Sequence, residues 1–531
     1  MKEKLFSYIE NISKDLVSLA DFIFDHPELG CEEYESSTAL CEFLNKNGFK
    51  VTRGVGTLET AFRAEYQSLS GGPSIGLLCE YDALYGLGHA CGHHMQGPCA
   101  VGAALALKDE LGSKYPFKLV VYGCPDEEGH SVGGKTTMIK NGCFNDIDIA
   151  MIMHGGTETT TDLRTLAAVR YEVIFSDGNG AEPNDNSSAS RGLDAMLLAF
   201  QGVEFLREHI ADDARMHYTY LPEEPVAEGE YKAEFSVRAK SVSYHEHLKN
   251  RFIDVINGAA MMCSASVKIK EGNQYYPKIP IQVLVDSFYE NAELAGAQRI
   301  EGVRKRVGSS DFGNVIYKLP GIGIRIAFAP KNTSVHSREW LDLGKSDSAH
   351  EAVKTGAKTL AAMAFDFISN PELIAKAKQE HKKEVQSLDD NTSVVVIDEA
   401  IKGDFGQSIE KQNVTKFHDN KAVVDMTFSG RSSHAAAAPD LGRSGFDALQ
   451  IAIAAIEYLG KHLKNGTQIN YSICSSGGMP CNVVPDNAKG RFELNMPDGE
   501  MLKWAIERLE SIAQGAALVT GTKSNVIVSD K

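Results

Sequence analysis

Three short apolar runs, "SIGLLCEYDAL", "FKLVVYGCPDEEG" and "DIAMIMHGG", fall between residues 74 and 156. Each is bounded by turn residues and separated from the next by a helical stretch such as "GPCAVGAALALKDEL". Buried strands joined by helices form a helix-flanked, mostly parallel sheet, because parallel neighbours need a crossover long enough to hold a helix. In such sheets chemistry collects at the carboxyl ends of the strands. Each run here closes on ligand-type side chains: Glu80 and Asp82, then Glu127 and Glu128, then His154.

At 531 residues the chain is too long for one hydrophobic core, so several domains are expected. It is 43% apolar and 24% charged, and no apolar run approaches the roughly 20 residues of a membrane helix. The opening "MKEKLFSYIENISKDLVSLADFIFDHPELG" breaks its apolar residues with charges, which predicts an amphipathic helix and not a signal peptide. A net charge of −17 argues against nucleic acid as a partner. Ten cysteines without framework spacing point to reduced thiols and a cytoplasmic protein, and the lack of a long apolar run to no membrane partner.

From about residue 169 a strand, a polar loop and a helix interrupt the pattern, which resumes with "GSSDFGNVIY" and "GIGIRIAFAP". The tail then repeats the interruption. "AVVDMTFSGRSSHAAAAPDLGRSGFDALQIAIAAIEYLGKHL" lies over it at an offset of 253, with Phe428 on Phe175 and Asp447 on Asp194. Leu449, Ile453, Ile456 and Leu459 fall on Met196, Phe200, Val203 and Leu206, one face of an amphipathic helix in both copies. Both copies later carry a second helix with "GAA" at its end. The expected class is α/β: a sheet domain of residues 1–168 and 282–386, an inserted αβ domain of 169–281, and a second copy of that small domain over 387–531.

"GLGHACGHHMQG" places three histidines and a cysteine within six positions. Zinc and manganese accept thiolate, imidazole and carboxylate, so Cys91, His93, Glu128, His154 and His336 are candidate ligands. A lone buried His or Cys is more often packing. A structural zinc site, a rival reading, would more often show paired Cys spacings, and the chain has none. Gly92 permits the sharp turn that a Cys-Gly-His chelate needs. In "PDEEG" neighbouring carboxylates are expected to point apart, one to metal and one to a water.

"DHPELGCEE", "EYDAL", "GHACGHH", "PDEEG", "MHGG", "GSSDFGNV" and "VHSREW" stand in the order and spacing of a known family. Over residues 1–385 the chain resembles the dinuclear metallohydrolases that include aminoacylases, glutamate carboxypeptidases and auxin-conjugate amidohydrolases, most of all their aminobenzoyl-glutamate hydrolase and dipeptidase branch. The resemblance implies a catalytic domain with an inserted lid and two divalent ions, zinc or manganese. It makes Cys91 a bridging thiolate, with His93, Glu128, His154 and His336 as further ligands. Glu127 becomes the general base, and Asp82 orients a ligand. The substrate would be an N-acyl amino acid or dipeptide with a free carboxylate. His94 departs from the family's Asn or Asp, and Tyr85 from its frequent Pro.

In that family the lid usually dimerises, the partner's lid giving an oxyanion-stabilising His and a substrate-binding Asn. The tail has both, as His434 in "GRSSHAAAAP" and Asn482 in "GGMPCNVVPD". The inserted lid has Ala181 opposite His434 but keeps Arg238, the candidate for the substrate carboxylate, where the tail has Asn495. These complementary losses lead to the expectation of a monomer whose tail replaces a partner's lid. Within the enzyme class, a dipeptidase competes with an aryl-amide glutamate hydrolase. Outside it stands a non-catalytic descendant that binds a metabolite or serves as a scaffold.

Overall fold

The computed structural model describes the chain apart from residues 129–132, 162–164, 178–190, 222–225, 305–309, 391–419, 434–438, 461, 464–465, 478–482 and 531. Two compact units result: Met1–Ala167 with Asn273–Asn391, and Ala168–Gly272 with Thr392–Lys531.

The first unit is built on a seven-stranded sheet. Its order is β1 (Lys50–Arg53), β2 (Phe62–Gln67), β4 (Lys118–Gly123), β3 (Ser74–Cys79), β5 (Ile149–Gly156), β11 (Gly321–Ala327) and β6 (Thr160–Thr161). The four central strands β4, β3, β5 and β11 run parallel, and the flanking pairs are antiparallel. β3 is buried along its whole length, as a strand covered on both faces must be. The crossover from β3 to β4 carries the helix Gln96–Leu111, whose small residues admit close neighbours; a Cβ on Gly102 would meet Leu16 at 2.7 Å and Ala357 at 3.1 Å. The opening segment forms two amphipathic helices, Lys2–Asn11 and Ser13–Asp25, burying Leu5, Ile9, Leu16, Leu19 and Ile23.

The second unit contains one small fold twice. In the inserted copy β7 (Ala167–Ser176), β8 (Arg215–Tyr220), β9 (Glu230–Ala239) and β10 (Ser266–Glu271) form an antiparallel sheet ordered β10-β7-β9-β8. In the tail β12 (Lys421–Ser429), β13 (Gln468–Ser475), β14 (Asn487–Asn495) and β15 (Lys523–Asp530) are ordered β15-β12-β14-β13, the same topology. Each copy has a helix after its first strand, Arg191–Arg207 and Gly445–Gly460, and a 22-residue helix before its last, Val242–Cys263 and Gly499–Thr520. Both long helices start on a side-chain cap, Ser241 or Asp498, and stop on a left-handed residue, Ser264 or Gly521. Each continues three residues beyond its "GAA".

One cluster of buried residues runs through both copies. The two long helices cross at their glycines: a Cβ on Gly258 would meet Gly515 O at 2.7 Å, and a Cβ on Gly515 would meet Gly258 O at 2.7 Å. Side chains cross the junction in matching pairs. Arg508 Nη2 donates to Met262 O at 2.8 Å, and Arg251 Nη2 to Thr520 O at 3.4 Å, each cation at the C-terminal end of the opposite helix. His209 Nε2 lies 3.0 Å from Asp447 Oδ2, and His462 Nε2 lies 2.9 Å from Asp194 Oδ2. Among the described residues no helix is long and apolar enough to cross a membrane.

Candidate metal centre

The ends of β3, β4 and β5 place their ligand-type side chains together. Asp82, just beyond β3, organises the set. Its Oδ1 and its backbone oxygen lie 2.9 and 3.0 Å from His93 Nδ1, and its Oδ2 accepts from the backbone N–H of Glu128 at 2.9 Å. Two acceptors at Nδ1 keep a ring proton there, so Nε2 is the nitrogen that can offer a lone pair to an ion. That lone pair faces acceptors: Glu80 Oε2 at 3.4 Å, and Glu127 Oε2 and Glu128 Oε1 both at 3.9 Å. His93 Nε2 and Glu128 Oε1 are buried without a hydrogen-bond partner. Buried acceptors facing one another are costly until a cation lies between them.

The remaining candidates close the cluster. Cys91 Sγ lies 3.4 Å from His154 Nε2, and His336 Nε2 lies 3.5 Å from Glu128 Oε1. Two groups sharing Cys91 have ligand atoms within 4.8 Å of one another: Cys91, His93 and His154, and Cys91, Glu128 and His336. Two overlapping donor sets joined by one thiolate fit a pair of divalent ions. Burial, then the nearby Arg325 guanidinium, holds His154 down to about 3, so its imidazole stays in the neutral, metal-binding form.

Local backbone explains why these residues meet. Gly92 has φ of 89°, which turns Cys91 and His93 inward together. His336 has φ of 61°, left-handed for a residue with a Cβ, and its N–H donates to Ala90 O at 3.0 Å, tying its loop to the Cys91 loop. Such conformations persist where the surroundings over-determine them, often at functional sites. Asp126, with φ of 58°, turns the chain before Glu127. Glu127 and Glu128 each come to 3.9 Å from His93 Nε2 but join different groups, Glu127 with Glu80 and Glu128 with Cys91 and His336. "DHPELGCEE" supplies the support: Glu33 Oε1 accepts from Asp126 N at 2.9 Å, and a Cβ on Gly30 would strike Asp126 Oδ1 at 2.1 Å.

Behind Glu127 lies a group that sequence reasoning missed. Lys135 is fully buried, with Nζ 2.6 Å from both Glu80 Oε1 and Asp311 Oδ1. Gln96 Nε2 donates to Glu80 Oε2 at 2.7 Å. Burial, then the charges of Glu80, Asp311 and Glu128, pushes Glu127 up to about 8. Arg325 was missed too; its Nη1 lies 3.1 Å from His154 Nδ1. Of the remaining expected site residues, Arg238 lies half-buried on β9 in the other unit, and His434 and Asn482 fall outside the described residues. His94 Nε2 bonds Gly344 O at 2.9 Å.

A mostly parallel sheet carrying a cysteine-histidine-glutamate cluster at its strand ends defines a metal-dependent hydrolase of the peptidase and amidohydrolase class. The chain belongs to peptidase family M20/M25/M40, whose model matches residues 79–366, and a peptidase dimerisation domain matches residues 418–520, in the tail copy. It is 28% identical over 461 residues to a p-aminobenzoyl-glutamate hydrolase polypeptide of Escherichia coli, covering 71% of this chain and 93% of that one. It is 28% identical over 406 residues to human Xaa-Arg dipeptidase, covering 71% and 91%. A solved Bacillus subtilis protein described as a dinuclear metal binding peptidase from the M20 family shares the fold, with a TM-score of 0.51 at 17% identity over 68% of this chain and 99% of that one.

Proposed function

We propose that this chain hydrolyses the amide bond of an N-acyl amino acid or dipeptide with a free carboxylate, in the cytoplasm. Two divalent ions, zinc or manganese, are held by Cys91, His93, Glu128, His154 and His336. The observation that carries the reading is the set of buried acceptors converging on His93 Nε2, a geometry that asks for a cation. When bound, such ions polarise the scissile carbonyl and acidify the attacking water.

The protein's own groups do the rest. Asp82 fixes the His93 tautomer and the Glu128 backbone in one stroke. Glu127 takes the proton of the attacking water and returns it to the leaving amine. The Lys135, Glu80 and Asp311 cluster fixes the charge behind it.

We read residues 1–168 and 282–386 as the catalytic domain, and 169–281 and 387–531 as two lid copies within one chain. The tail copy supplies His434 for the oxyanion and Asn482 for substrate, and the inserted copy supplies Arg238 for the substrate carboxylate. The shared core of the two copies supports a working monomer. Two relatives suggest the substrates to try first: Xaa-Arg dipeptides and aminobenzoyl-glutamate. A metal-reloaded screen over these and simple N-acyl amino acids, read by released amine, is expected to give turnover that E127Q lowers by about 10²–10⁴-fold at unchanged metal content. No amine from any member, with both ions bound, would favour the non-catalytic alternative.

A further inference from the structure

The carboxylate nearest to His93 Nε2 is not among the five candidate ligands. Glu80 Oε2 lies 3.4 Å from that nitrogen, closer than Glu127 Oε2 or Glu128 Oε1, both at 3.9 Å. A Glu80 oxygen falls within 4.8 Å of the ligand atoms of His93 and Glu127, the same spacing that joins the two groups sharing Cys91. By distance alone Glu80 would bind an ion.

Both of its oxygens are already bonded. Oε1 pairs with Lys135 Nζ at 2.6 Å, and Oε2 accepts from Gln96 Nε2 at 2.7 Å. The two donors are themselves fixed. Gln96 Oε1 accepts from the Glu80 backbone N–H at 3.0 Å, so one amide holds both the main chain and the side chain of Glu80. Asp311 anchors Lys135, accepting from its backbone N–H at 3.0 Å and from its Nζ at 2.6 Å. A Cβ on Gly134 would strike Pro125 O at 1.6 Å, so glycine is what lets Lys135 sit this close to the turn before Glu127. All four side chains are buried. A buried carboxylate needs a cation, and for Glu80 the chain supplies its own. Resting on the metal-dependent reading above, we propose that Lys135 is a positioning residue: its ammonium keeps Glu80 off the metal pair, so that the Cys91 set alone holds the ions and Glu127 is left to the attacking water.

The test uses the full chain loaded with zinc alone, and follows the rate at which an excess of chelator withdraws the metal. K135M removes the ammonium at similar side-chain length and frees Glu80 beside the ions. Zinc should then leave about tenfold more slowly, and turnover should fall about tenfold or more. Adding E80Q to K135M should bring zinc loss back to the rate of the unaltered chain. Packing alone predicts the opposite, since a loosened core releases its metal sooner. Faster or unchanged zinc loss in K135M therefore overturns the proposal. If K135M does not fold, E80Q alone decides, because Lys135 keeps its bonds to Asp311 in that variant. Zinc loss at the unaltered rate is expected there, and loss about tenfold faster would make Glu80 a ligand and overturn the proposal. An unaltered chain that takes up no zinc overturns the metal-dependent reading and this inference with it; a contrary result in a chain that does take up zinc overturns the inference alone.

Discussion

Asp82 decides which nitrogen of His93 faces the other candidate ligands, and that one choice makes a buried histidine fit to hold an ion. That Cys91, His93, Glu128, His154 and His336 come together was legible because they stand in short motifs near strand ends, where open α/β sheets concentrate chemistry. Lys135 was not, since a lysine opening "GKTTMIK" reads as a solvated helix residue, and only the fold brings Glu80 and Asp311 against it. C91A should lose metal as well as turnover, because the thiolate belongs to both donor groups; full ion content in that variant would contradict the bridging role. A second residue-scale expectation concerns acid. Asp425 is bonded by Arg491 and Lys489, and the Arg491 guanidinium above all brings its carboxyl down to about 2. Its unfolded value is about 3.9, so the stabilisation is complete above that value and is lost as pH falls toward 2. D425N should therefore cost less than about 1 kcal/mol at pH 7, read as a slightly lower melting midpoint, and have a much smaller effect near pH 2. An equal effect at both values would rule the ion pair out as the cause.

At the scale of elements, the amphipathic faces of Met196–Leu206 and Leu449–Leu459 made the duplication readable, and their buried residues pack into the same core. The second half of each copy was harder to read. Its strands and long helix keep the same order, but their spacing differs from that of the first half, so only "GAA" stood out. The fold recovers the rest, down to a shared ion pair: Lys232 with Glu172 at 2.9 Å, and Lys489 with Asp425 at 2.9 Å. The left-handed turn at Asp126 sets the directions of Glu127 and Glu128, which join different groups of candidate ligands. The glycine crossing carries a prediction of its own. G515V forces a branched side chain against Gly258 O and should cost about 1–3 kcal/mol, read as a lower denaturation midpoint. An unchanged midpoint would mean that the helices do not pack this closely.

For the whole molecule, the sequence displays two copies of one small domain in one chain, and the structure joins them over one core with paired contacts crossing between them. The described residues of the segment that matches a peptidase dimerisation domain, 418–520, pack on the inserted copy of the same chain. The central claim is that a single chain forms a complete enzyme. Sedimentation of the metal-loaded protein during turnover measures it directly. The active species should have the mass of one chain, 57.7 kDa, with specific activity unchanged on dilution. An active species of twice that mass, with activity lost as it dissociates, would contradict the account.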